Sequence, residues 1–329
     1  MDFGLNDLQQ DIQRTARDML ARRSPFAVVR EAAAGSGHDP GLWGELVALD
    51  WPGIAIAEEY GGAGLGFVEL CLLAEEHGYA VAPTPLLGTA LVADAIANCD
   101  DEARRQALLP RIRAGEIVGG IGEGRDGNSE LVLDGADVAL TVVIEDDALL
   151  LVEGASRPLS TIDPTRRYSC LEGASGDRLG TSRSLIDRAR TLVAAELVGI
   201  SQRALDLSVA YASERRQFGV PVGSFQAVAH RCAAMLRSVE TARSAVYAAA
   251  WAADAAPETL PEAAAMAKAA ASGAGREATA SAIQVHGGIG FTWEADVHWL
   301  FKRAQLDSQL FGGPADQLRS LGGMLAEAS

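Results

Sequence analysis

The stretch Ser213–Arg231, SERRQFGVPVGSFQAVAHR, lies between two long alanine-rich segments. Before it, Ile186, Ala189, Val193, Leu197, Ile200, Ala204, Leu207 and Tyr211 recur every three or four residues. After it, Val228, Cys232, Met235, Val239, Ala242, Val246 and Ala249 do the same. That is the period of one helical face. The stretch is therefore a connection between two long helices, with Gly219 expected at the C′ position that ends the first. Further helical runs over 258–285 and after Glu294 complete a set of four, and four long helices on short connections default to an antiparallel bundle. The connection carries two adjacent arginines, a Phe-Gly pair and two glutamines. Either Arg215 and Arg216 only complement the dipole at a helix C-terminus, or one of them projects beyond the helix end and grips a phosphate, with Gln217, Phe218 and Gln226 close by.

Upstream of the bundle the pattern changes twice. Residues 117–183 contain LVLDGADVALTVVIEDDALLLVE, short β-branched and apolar runs split by Asp and Gly, with Pro158 and Pro164 as punctuation. These read as strands. Before them, helical spacing holds over residues 5–22, in LWGELVALD ahead of Pro52, from Val68 to about Tyr79, and in two short runs over 84–115. A Gly-rich break, AAAGSGHDPG, and the turn-rich AEEYGGAGLGF separate them. The expected organisation is an N-terminal helical domain over 1–116, a β domain over 117–183 and a C-terminal four-helix bundle over 184–329. The fold class is mainly α with a small β insert.

Composition excludes several functions. The 329 residues are 48% hydrophobic and 22% charged, enough apolar material for a substantial core, and the net charge is −16. So acidic a chain lacks the basic footprint that nucleic acid requires, and an anionic ligand must be met by local arginines against the overall field. Cys71, Cys99, Cys170 and Cys232 are far apart and the five histidines form no HxxxH or HExxH pair, which points to reduced thiols and no metal site. Asp2, Asp7 and Asp11 precede any apolar run, unlike a signal peptide, and no run of about 18 apolar residues is present. The expected location is the cytoplasm, away from membranes.

A second glycine stop, QVHGGIGF at Gln284–Phe291, ends the third bundle helix. Alone it is an ordinary Gly-rich cap. It is not the dinucleotide fingerprint, which needs a preceding strand and GxGxxG spacing. Together, ERRQFGVPVGSFQAVAHRCAAM and AIQVHGGIGFTWEADVHWLFKRA resemble the acyl-CoA dehydrogenase family of flavoenzymes in order and spacing. WGELVALDWPGIAIAEEYGGAGLGFVE and LLPRIRAGE are similar to that family's first helical domain, and DPTRR at 163–167 to the exit of its middle domain. The resemblance covers most of the chain. It implies FAD lying across a subunit interface, with one chain holding the flavin ring and its neighbour the pyrophosphate and adenosine. The adenosine-side positions fall here on Arg215, Gln217, Phe218, Gln226, Gln284, Val285, His286, Gly287 and Gly288, and on this reading Arg215 pairs with the pyrophosphate while Arg216 is a solvated cation.

The ring side departs from the family. Its Thr-Glu-Pro and Gly-Ser-Asp entry segment is replaced by GGIGEGRDGNSELVL, where only Glu123 is similar. No tryptophan lies between Trp51 and Trp251, so its Trp-Ile-Thr strand has no counterpart. The family's reaction takes an α-proton from a thioester, and so weak an acid requires a desolvated carboxylate over it. In LFGGPADQLR, Phe311 and Pro314 flank Gly312, which occupies the usual Glu position. The minority position, near Ala189, holds no base either, and Glu196 is the nearest carboxylate, read as a polar residue at the bundle surface or in an interhelix pair. The resemblance thus implies a non-catalytic subunit of a heteromeric α2β2 dehydrogenase, with no catalytic residue of its own. It would complete the FAD site of a homologous catalytic chain acting on an acyl-CoA, with steroid side-chain CoA thioesters as the analogous substrate class and an electron-transfer flavoprotein or similar acceptor. Two alternatives stand beside it: a self-sufficient homo-oligomer using Glu196, and a non-flavin structural protein on the same fold.

Overall fold

A computed structural model describes residues 4–146, 148–153, 156–181 and 183–327; Asp2 lies outside them. Six helices come first: α1 (Asp7–Arg23), α2 (Phe26–Ala34), α3 (Pro40–Ala48), α4 (Phe67–Ala80), α5 (Leu86–Ala97) and α6 (Glu102–Arg113). Helix α1 opens with a capping box in which the Asn6 side chain accepts from Gln9 N–H and Gln9 Oε1 accepts from Asn6 N–H. The Asp39 carboxylate caps α3. Helix α2 lies between the first helical run and the Gly-rich break expected at 32–41, and overlaps the start of that break. Its nine residues are too few to display a period, and Val29 and Ala32 are its buried face.

Seven strands follow: β1 (Gly119–Glu123), β2 (Ser129–Leu133), β3 (Leu140–Glu145), β4 (Ala148–Glu153), β5 (Arg157–Leu159), β6 (Tyr168–Leu171) and β7 (Asp177–Gly180). Among the described residues they form one sheet in the order β5-β6-β2-β1-β3-β4-β7, parallel only between β1 and β3. The DPTRR segment, read from the sequence as the exit of this unit, lies inside it between β5 and β6. Its charged side chains leave the sheet for the helices, as shown below.

The bundle begins with α7 (Arg183–Glu214). A short ribbon of β8 (Arg216–Gln217) and β9 (Val220–Pro221) leads into α8 (Gln226–Ala255), and α9 (Leu260–His286), α10 (Val297–Asp307) and α11 (Pro314–Glu327) complete it. Ala264, Ala267, Ala271, Ala274, Ala278 and Ala282 form the buried stripe of α9, and such small side chains let helix axes approach closely. Helices α4 and α7 come closer still: a Cβ on Gly199 would collide with the Glu75 carbonyl oxygen and one on Gly78 with that of Glu196. The expected single fourth helix is two. Phe311 (φ +57°) and Gly312 (φ +91°) take left-handed conformations, which end the helical path, and Pro314 starts the next one.

Among the described residues the four cysteines are free thiols, no helix is long and apolar enough to cross a membrane, and no cluster of three or more metal-ligating side chains occurs.

Candidate functional site

Helix α7 ends at Glu214, five residues before the glycine expected to stop it. Arg215–Pro221 instead turns back as a two-residue hairpin. Arg216 pairs with Pro221 and Gln217 with Val220, the Val222 N–H donates to the Arg215 carbonyl at 2.7 Å, and Phe218 (φ +53°) and Gly219 (φ +84°) form the turn. Two consecutive left-handed residues are the type I′ geometry that matches strand twist, so Gly219 is a hairpin glycine and not a helix cap. The hairpin separates the two arginines. Arg216 folds back, with Nη1 3.5 Å from the Gly219 carbonyl oxygen. The Arg215 guanidinium has no partner among the described residues and is exposed, as are Gln217 and Phe218, the latter at 93%.

The second stop stands beside the first. Tyr211 in the last turn of α7 stacks on His286, the last residue of α9, with ring centroids 4.4 Å apart. His286 Nδ1 donates to the Ala282 carbonyl at 2.7 Å, leaving Nε2 as the free acceptor. Gly287 (φ +64°) ends α9, and a Cβ placed on it or on Gly288 would meet no atom within 4 Å. Val285 is buried and Gln284 exposed. Helix α8 starts here too. Its first residue is Gln226, Phe225 precedes it without a side-chain cap, and the Gln226 and Ala227 N–H groups have no acceptor among the described residues. An uncapped N-terminus of a long helix favours anions. Phe225 holds Phe218 edge-on at 6.2 Å. Arg215, Gln217, Phe218 and Gln226 thus share one surface with the Gln284–Gly288 end of α9, and its exposed amides, lone guanidinium and open glycines fit a dinucleotide's phosphates and base. The uncapped α8 terminus and Tyr211 were not singled out from sequence. Tyr211 was visible there only as one more member of the α7 face.

The other end of α7 is tied to the Phe311–Gly312 break. Arg190 Nε donates to the Phe311 carbonyl at 3.1 Å. Gln317, which is buried, donates from Nε2 to the Phe311 and Gly312 carbonyls at 3.0 and 3.2 Å. A Cβ on Gly312 would lie 2.6 Å from that Nε2. Beside this break, a cleft of about 440 Å³ separates β1 and β2 from Phe311, with Glu123, Arg125 and Glu130 among its lining residues. Ala189 is fully buried. Gly312 brings no side chain, and its φ of +91° strains any replacement, so the residues present do not supply a catalytic carboxylate at that position.

Glu196 is neither at the surface nor available as a base. It is fully buried in a network that ties the helices to the sheet. Arg166 donates to it from Nη1 at 2.9 Å and from Nη2 at 2.5 Å, Arg303 Nη1 lies 3.4 Å away and His77 Nδ1 3.0 Å away. Arg303 Nε also donates to Asp163 at 2.9 Å, and Arg166 reaches Asp134 and Asp307 at 3.3 Å each. Burial opposes ionisation of Glu196, but the Arg166 charge, the His77 hydrogen bond and the Arg303 charge outweigh it and hold its pKa well below the usual carboxylate range. Burial pulls His77 down to about 4, so the neutral ring donates from Nδ1 to Glu196 and accepts at Nε2 from Thr84, 2.9 Å away. Asp307 is pushed well above its ordinary value by burial and the Glu196 charge. A carboxylate so strongly held as the anion is a poor proton acceptor.

Comparison with known proteins identifies the family. Residues 6–116 match the acyl-CoA dehydrogenase N-terminal domain and residues 179–324 the acyl-CoA dehydrogenase C-terminal domain. The protein named acyl-CoA dehydrogenase IpdE2 of Mycolicibacterium smegmatis is 37% identical over 301 residues, covering 91% of this chain and 92% of that protein. The ChsE4-ChsE5 complex from Mycobacterium tuberculosis contains a similar chain with a TM-score of 0.92 and 26% identity, covering 99% of each. A steroid ACAD variant of Tcur3481-Tcur3483 gives 0.90 and 28%, covering 98% of each. With both terminal domains matched and a 37% identical relative along nine-tenths of its length, the chain belongs to the acyl-CoA dehydrogenase family of oxidoreductases.

Proposed function

We propose that this chain is the subunit of an FAD-dependent acyl-CoA dehydrogenase that holds the pyrophosphate and adenosine end of the cofactor, while a homologous partner supplies the flavin-ring site and the catalytic base. The observation that carries this reading is the contrast between the two ends of α7. The Arg215 end is exposed and rich in unpaired donors, whereas at the other end Gly312 stands at the family's Glu position and brings no carboxylate of its own. Arg190, which holds the Phe311 carbonyl, and Arg215 are 25 residues apart in the sequence, roughly 37 Å at 1.5 Å per helical residue, so the two ends serve separate sites in this reading.

In this role Arg215 makes charge-assisted bonds to the pyrophosphate, and the first amides of α8 add donors along the helix dipole. Gln217 and Gln226 supply side-chain amides to the phosphates and sugar, Phe218 offers a ring face to the adenine, and Gly287 and Gly288 let the backbone approach closely. FAD, when bound, supplies the hydride acceptor for α,β-dehydrogenation of an acyl-CoA thioester. Proton abstraction falls to the partner's carboxylate. The exposed aromatics Phe218, Phe291 (79%) and Trp293 (70%) are the kind of apolar surface that a subunit interface covers. The likeness to two-chain and steroid ACAD structures supports an α2β2 assembly with a steroid side-chain CoA thioester as substrate and an electron-transfer flavoprotein or similar acceptor. The test is expression of this chain alone and together with a homologue that carries the Glu. Flavin and turnover only in the co-expressed sample support the reading, and a fully flavinated, active single chain refutes it.

A further inference from the structure

We infer that the cleft between α1, α2, α4 and α7 is a binding site for a small carboxylate with an apolar body, anchored by Arg203. The cleft holds about 280 Å³, and its walls include Leu20, Pro25, Phe26 and Ala80. A dry cavity of about 150 Å³ accommodates benzene, so this one has room for a ring or short alkyl body and a head group. The Arg203 guanidinium lies 5.4 Å from the Phe26 ring centroid and 5.0 Å from that of Tyr79, and its Nη1 donates to Tyr79 Oη at 3.2 Å. Two aromatic faces and one hydrogen bond fix the plane of the fork, while its remaining N–H groups find no acceptor among the described residues.

That arrangement is unlike the rest of the molecule. Every other arginine shielded from solvent has a carboxylate within 4.0 Å. Arg188 meets Asp94 and Arg243 meets Glu75, for example. The chain has 44 acidic residues against 28 basic ones, so a half-buried arginine without an ion pair is conspicuous. Asp206 is reached only through the Tyr79 hydroxyl, which donates to it at 2.8 Å. Arg17 also lines the cleft, but Glu76 meets its charge. The lining therefore carries one unbalanced positive charge beside an apolar wall. A planar carboxylate matches the fork of donors, and an apolar body matches the wall. Arg203 lies eight residues before Tyr211, roughly 12 Å along α7, so the site does not depend on the flavin reading.

The test is calorimetric titration of the full chain with 3-phenylpropanoate and with its neutral amide. Saturable binding of the acid is expected, about tenfold or more tighter than the amide, the value of one charge-assisted bond. Arg203→Gln should abolish that preference, and Ala21→Trp, which fills the mouth of the cleft from α1, should abolish binding of both ligands without altering the Arg203 contacts. Arg215→Gln should leave both affinities unchanged. Equal affinity for acid and amide overturns the inference, as does an absence of saturation by about 10 mM. Loss of the acid site upon assembly with a partner chain also overturns it, in favour of a subunit contact.

Discussion

Replacing Glu196 by Gln separates its structural role from a catalytic one. The native carboxylate accepts two hydrogen bonds from Arg166 and one from His77, with Arg303 3.4 Å away. An amide turns one acceptor into a donor that faces these donors, and removes the charge that balances the guanidinium groups. Breaking one partner out of a buried ion pair costs about 3–5 kcal/mol. Here Asp307 offsets part of the loss, because the Glu196 charge is among the causes that keep it protonated, so the lower figure of about 3 kcal/mol applies. The unfolding entropy of 329 residues, at about 2.1 cal/mol/K each, is roughly 0.7 kcal/mol/K, which converts that cost to a fall in melting temperature of about 4 °C. Scanning calorimetry of the purified chain at neutral pH measures it, with Glu130→Gln on the exposed face of β2 as a control expected to shift by less than about 1 °C. A Glu196→Gln variant that melts like the native chain refutes the structural account. If dehydrogenation by the assembled enzyme vanished at the same time, Glu196 would be its base.

Three further outcomes are expected. Arg215→Ala should weaken FAD retention by the assembled enzyme about tenfold or more, with Arg216→Ala doing less because that side chain already folds onto Gly219; equal losses measured by flavin release would return both arginines to a hairpin role. Gly312→Glu should yield neither a second flavin nor a second active site, since φ is +91° there and the new Cβ meets Gln317, and doubled flavin content and rate would contradict this. Asp134→Asn should become more favourable relative to the native chain as pH rises from about 4 to about 7. Burial pushes Asp134 up to about 6 in the folded state from 3.8, so the native fold binds the extra proton within that window and loses stability as pH rises through it, by up to about 3 kcal/mol. Urea unfolding at both pH values should show the difference, and a constant difference would refute it.

Much of the bundle was legible because its signal is local. The spacing from Ile186 to Tyr211 and from Met235 to Ala249 repeats a buried face over many turns, and α7 and α8 form there. Family resemblance located the residues of the open site, but geometry distinguished Arg215 from Arg216: no spacing rule reveals a two-residue hairpin when Phe stands at its first left-handed position, a conformation that a bulky residue adopts only when the surrounding structure holds it. The break at Gly312 was signalled by Gly312-Gly313-Pro314, a run that ends helices, but it reads there as an altered family motif and not as a helix boundary. The Glu196 network was illegible for a different reason. His77, Asp134, Asp163, Arg166, Glu196, Arg303 and Asp307 come from five separate stretches of sequence, and burial of such groups is a property of the assembled fold alone.

The central claim is that this chain uses only one half of a flavin site, and native mass spectrometry of the chain co-expressed with its catalytic homologue tests it most directly. The account predicts an assembly of two unlike chains, two copies of each, with one FAD per unlike pair, and a flavin-free species when this chain is expressed alone. A flavin-loaded homotetramer of this chain, or one FAD for every chain in the mixed assembly, would contradict it.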